Sequence, residues 1–115
     1  MFINLAYKFQ NLDGSIIMQN AEKELDLKEV VLASLVAPDV NEPNDVKVIK
    51  YDLAKKLYAS PDTAQITVDD ASLIKASLPM GLSPVITAQV IACLEYNEPH
   101  SINEYTEVKA DTEND

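Results

Sequence analysis

Arginine and tryptophan are missing from this chain of 115 residues, and cysteine occurs only once. The nine basic residues are therefore all lysines, set against 19 acids for a net charge of −10. Direct recognition of nucleic acid relies on clustered Lys and Arg, so the composition argues against a DNA- or RNA-binding protein. It suits a basic protein partner, or solubility alone. A single cysteine excludes an intramolecular disulfide. The opening MFINLAYKFQ has neither a basic n-region nor a small-residue cleavage site, so no signal peptide is read there and the cytoplasm is the expected compartment. Long apolar runs are lacking as well. The run around Cys93 is broken by Thr87 and Gln89 and falls far below the roughly 20 residues of a membrane span. Aromatics amount to two Phe and five Tyr, which leaves Leu, Val, Ile and Ala to build the core.

What is there is an ordinary globular composition, 47% hydrophobic, in a length that suits one domain. The charge is unevenly spread. Residues 1–60 hold nine acids and seven lysines, whereas residues 61–115 hold ten acids and only Lys75 and Lys109. Residues 1–95 are read as a single α+β domain, and residues 96–115, which show no sustained periodicity, as a flexible acidic C-terminal tail.

Residues 2–10 alternate, with Ile3, Leu5, Tyr7 and Phe9 on one face, the period of a half-buried strand. Asp13-Gly14 then signals a hairpin turn, with a return strand over about 15–19. A calcium loop would need oxygen ligands at fixed spacing after Asp13, which Ser15, Ile16 and Ile17 do not supply. After a polar link, Asp26 caps a first helix that runs to Ala37, with Glu29 completing a capping-box pattern. Leu27, Val31 and Leu35 form its apolar stripe, widened by Val30, Leu32 and Val36. Pro38 opens a loop that leads to a second helix over about 44–59. There Val46, Ile49, Leu53 and Leu57 form the buried stripe, with Ala54 and Tyr58 beside them, and Lys47, Lys50, Lys55 and Lys56 lie mostly on an outer basic face. Residues 64–68 are expected to add a brief third strand, with Ile66 and Val68 inward, because an isolated hairpin is marginal in water. Thr67 and Asp70 make a cap pair for a third helix, whose stripe is Val68, Ala71, Ile74 and Leu78. Pro79 ends it, Gly81 supplies a turn conformation disfavoured elsewhere, and Ser83-Pro84 starts a fourth helix over about 84–95. That last helix is apolar almost all round, so it must be buried or covered by another chain.

No reactive constellation emerges. Gly81 before a helix start has no Lys or Arg neighbour to complete a phosphate nest. Cys93, on an apolar helix with no cation nearby, behaves as a small hydrophobe. His100 lies beside Pro99 in the acidic tail, with no partner to orient it for catalysis. Asp69 and Asp70 are adjacent and diverge around a helix, which suits the helix dipole better than a metal. No His/Cys cluster supplies zinc ligands. The chain is read as a non-enzyme without cofactor or metal.

The leading strand, the NLDG turn, DLKEVVLASLV, DLAKKLY and SPVITAQVIACLE together resemble small uncharacterised accessory proteins of tailed bacteriophages and prophages, over about residues 2–95. The resemblance implies synthesis in a bacterial host cytoplasm and a non-catalytic accessory role, and it carries no active-site residue over to this chain. The expected function is a protein–protein interaction module, homo-oligomeric, that binds a host or phage protein through the hairpin edge and the surface around Met80, Leu82 and Val85. An acidic decoy that imitates nucleic acid, or an assembly chaperone for phage tail proteins, are the alternatives. Neither direct nucleic-acid binding nor membrane association is expected.

Overall fold

The alternating run at the N-terminus is extended, but only its start forms a ladder. The computed structural model of the protein describes residues 1–95. Their architecture is α+β: a two-stranded antiparallel sheet with four helices. Strand β1 (Phe2–Asn4) pairs with β2 (Thr63–Gln65), with Ile3 opposite Ala64. Met1 and Ile66 extend this pairing by exchanging hydrogen bonds between their backbone groups. The segment expected as a third strand is thus the direct partner of the first. Ile66 is buried as expected, whereas Val68 is exposed, because the chain has already turned into a helix there.

The N-terminal hairpin is short. Its loop is Leu12–Gly14, closed by the Asn11 N–H donating to Ser15 O at 2.8 Å, with Gly14 at φ +88°. This is a three-residue loop ending in a left-handed glycine, not a two-residue primed turn. Beyond it the backbone forms a closed triangle. Ile17 N–H donates to Phe9 O (2.8 Å), Leu25 N–H to Ile17 O (2.9 Å), and Phe9 N–H back to Leu25 O (3.1 Å). Three antiparallel bridges flank it: Gln10 with Ile16, Met18 with Glu24, and Lys8 with Asp26. Glu24 and Leu25, read from sequence as part of a polar link, and the cap residue Asp26 are therefore the third side of this arrangement. Each side satisfies its neighbour's amide, so short extended segments are tied down without a full sheet. Phe9 lies fully buried beneath.

Helix α1 (Leu27–Val36) starts where expected: the Asp26 carboxylate accepts from the Glu29 N–H at 2.9 Å. The Glu29 side chain instead pairs with Lys23. Leu27, Val30, Val31 and Leu35 face the core, and the buried Ser34 hydroxyl donates to Val30 O. Val36, expected to widen this stripe, is exposed. Helix α2 (Asn44–Ala59) packs mainly on α1. Its buried face is Lys50, Leu53, Ala54 and Leu57, which corrects three expectations. Ile49, expected in the stripe, and Tyr58, expected beside it, are exposed, while Lys50, expected on the outer face, is buried. Either Ile49 or Lys50 fits a 3.6-residue period with Leu53 and Leu57. The 37–43 loop decides between them, because it folds back and offers the Glu42 carboxylate to Lys50.

Helix α3 (Val68–Ser77) carries a complete capping box between Thr67 and Asp70 and buries Ala71 and Ile74. Leu78, expected in its stripe, is half-buried just past its end. Helix α4 (Pro84–Glu95) begins with the Val85 N–H donating to the Ser83 hydroxyl. Every α4 residue from Val85 to Leu94 is buried or half-buried. Gly81 does not need to be glycine for conformation. Its φ lies outside the left-handed region, and a Cβ there would meet nothing within 4 Å. The expected acidic tail of residues 96–115 lies outside the described residues.

Candidate functional site

Three places in the fold hold chemistry or exposed surface worth weighing. The first is internal. Tyr7 from the N-terminal segment and Gln89 and Cys93 from α4 meet in the core. The Tyr7 hydroxyl donates to Gln89 Oε1 at 2.7 Å, and the Gln10 N–H donates to the same oxygen at 3.0 Å. Gln89 Nε2 donates in return to Gln10 O at 2.9 Å and to Val85 O at 2.8 Å. The side-chain amide thus binds both backbone groups of Gln10, as a neighbouring strand would. Burial pushes the Tyr7 hydroxyl up to about 12, with the Cys93 thiol adding to the shift. Burial alone pushes Cys93 up to about 12. A thiol held protonated in an apolar interior is a poor nucleophile. This cluster is a structural clamp between α4 and the N-terminal triangle.

The second place contains the surface expected from sequence. Met80 stands fully in solvent, and Leu82 and Val85 are half-buried. Leu82 lines a shallow cleft of about 250 Å³ with Leu25, Val30, Ala33 and Pro79. Met80 and Val85 are not among its lining residues. The three residues therefore share one loop-and-helix corner, but only Leu82 is built into a concavity.

The third place was not singled out from sequence. The end of α1, the 37–43 loop and the first half of α2 enclose a cleft of about 420 Å³. Its apolar lining comes from Leu35, Val36, Pro38, Val40 and Tyr51. Val36, Val40 and Tyr51 are 63%, 95% and 61% exposed. Val48, one turn of α2 before Tyr51, is exposed as well. The Lys50–Glu42 ion pair is largely buried and lines the same cleft. It holds the loop against α2, since separating the two charges would leave each poorly solvated. Lys47 and Asp39 stand exposed in the cleft as one charge of each sign. Two signals in the sequence point here: Val40 is a lone apolar residue in a loop of Pro, Asn and acids, and α2 holds more apolar residues than one buried stripe can use.

Among the described residues, no group of His, Cys, Asp or Glu side chains stands close enough together to hold a metal ion. No helix among them is long and apolar enough to cross a membrane. His100 lies outside the described residues. No protein-family model matches the chain, and neither a curated protein nor a solved structure matches it.

Proposed function

We propose that the protein is a non-catalytic protein–protein interaction module, acting through the α1–α2 cleft and the adjoining outer face of α2. The observation that carries this reading is the cluster of large apolar side chains left in solvent there, Val36, Val40, Val48 and Tyr51. Contiguous exposed apolar surface mapped onto a concavity is characteristic of association sites, and tyrosine is favoured as an anchor in them. The expectation of a homo-oligomeric interaction module rested on α4, whose apolar circumference needed a cover, and on a hairpin with free edges. No residue between Val85 and Leu94 is exposed, so this reading assigns the contact to the α1–α2 face and not to α4. A phage-encoded accessory role rests on the sequence resemblance alone.

A photo-crosslinking amino acid placed at position 51 in the producing cell tests this. One discrete adduct, identified by mass spectrometry and lost when Val40→Asp is added, is the expected result. The same label at exposed Asp69 should give no such adduct. Equal labelling from both positions, or none from position 51, contradicts the proposal.

A further inference from the structure

The α1–α2 cleft is balanced in charge. On a chain of net charge −10, its lining holds two acids, Asp39 and Glu42, against two lysines, Lys47 and Lys50. Glu42 and Lys50 satisfy each other as a largely buried pair. Lys47 and Asp39 are exposed, and among the described residues neither has an ion-pair partner. The Asp39 carboxylate accepts a hydrogen bond from the Asn41 N–H of its own loop at 3.0 Å. One unmatched charge of each sign does not select an acidic or a basic partner. It selects a surface that carries the same two charges in the opposite order.

A second copy of the chain is such a surface. In a two-fold contact residue i meets j and j meets i, so Lys47 of each copy faces Asp39 of the other and two ion pairs form. The apolar groups obey the same rule. Val40 stands in solvent beside the concavity that Leu35, Pro38 and Tyr51 help to line. Knob and hollow lie on one face, where a two-fold axis brings each knob to the other copy's hollow. The knob is also held in place. Of residues 36–45 only Glu42 is not exposed, so its ion pair with Lys50 ties the loop to α2. A loop already fixed in this way presents Val40 with little ordering cost on association. Two chains of like net charge repel, and a face whose lining charges cancel is one on which they can approach.

We infer that the protein forms a two-fold symmetric homodimer through the α1–α2 cleft, with Val40 of each copy seated against Tyr51 of the other and Lys47 paired with Asp39 across the interface. The inference rests on the reading of this cleft as an interaction surface, and it names the partner.

The test is analytical sedimentation of the full-length protein, alone and in mixtures. The wild type should pass from monomer to dimer as its concentration rises. Lys47→Glu and Asp39→Lys each place like charges across both symmetric contacts, and each should weaken the dimer by about tenfold or more. Both positions are exposed, and so is Asn41, whose N–H can bond water once Asp39 is replaced. An equimolar mixture of the two variants restores opposite charges at both contacts. It should recover a dimer of near wild-type affinity that contains one of each chain. A monomeric wild type, single variants as dimeric as the wild type, or a mixture no tighter than its components overturns the inference. Its failure is separable from that of the surface. A monomer whose position-51 adduct contains a different protein contradicts the dimer and keeps the docking surface, whereas a monomer without an adduct removes both.

Discussion

Gln89 shows how one side chain can decide the placement of an element. In sequence it is an interruption in an apolar run. In the structure it is almost completely buried, and it gives its whole amide to Gln10, Tyr7 and Val85. Gln89→Leu keeps the volume but leaves the Gln10 N–H and C=O without these bonds, and each unsatisfied buried group costs about 1–3 kcal/mol. Denaturant unfolding should show a loss of about 3 kcal/mol; a neutral substitution would show that the clamp is dispensable. Next to it, burial raises Cys93 from 9.0 and Tyr7 from 10.0, each to about 12. The folded state then holds protons that the unfolded state releases, so stability is full below pH 9 and falls as pH rises from about 9 toward 12. Thermal melts across that range should decline from about pH 9. In Cys93→Ala, a less stable protein from the outset, the onset should move toward pH 10. A flat profile up to pH 12 would refute the burial-driven shifts.

Elements with local signals were legible in the sequence, and elements held by distant partners were not. Helix α2 occupies the expected residues 44–59, and the caps at Asp26, Thr67 and Ser83 are where the sequence places them. Each depends on residues within four positions, which a linear reading sees. The β1–β2 pairing joins segments about sixty residues apart, and no local pattern encodes that choice. The Phe9–Ile17–Leu25 triangle uses single bridges, too short to impose alternation on residues 24–26. Rotation of α2 toward Lys50 was hidden because the partner charge, Glu42, sits in a loop with no periodicity. The two glycines separate these cases experimentally. Gly14→Ala puts a Cβ on a backbone at φ +88° and should destabilise by about 1 kcal/mol. Gly81→Ala meets no atom and no left-handed φ, so it should be neutral or stabilising by up to about 1 kcal/mol. Chemical denaturation of the pair checks both signs, and a destabilising Gly81→Ala would restore the conformational role read from sequence.

For the whole molecule, the question posed by its apolar surplus has moved. The sequence locates the surplus in α4, whereas the fold absorbs α4 and leaves exposed Val36, Val40, Val48 and Tyr51 around the α1–α2 cleft. That site was only partly legible because exposure is a property of packing: Val36 and Ile49 fit a buried stripe by spacing, and it is the neighbouring loop that leaves them outside. The Met80–Leu82–Val85 corner remains the competing surface; both clefts draw on α1, but they share no lining residue, so single substitutions distinguish them. Tyr51→Ala and Met80→Ala each truncate one exposed side chain and should leave the melting temperature nearly unchanged. The most direct measurement is therefore the yield of the partner adduct from a photo-crosslinker at Val48, compared between these two variants at matched stability. The account predicts that Tyr51→Ala abolishes the adduct and Met80→Ala leaves it intact. An adduct that survives Tyr51→Ala and disappears with Met80→Ala would contradict it.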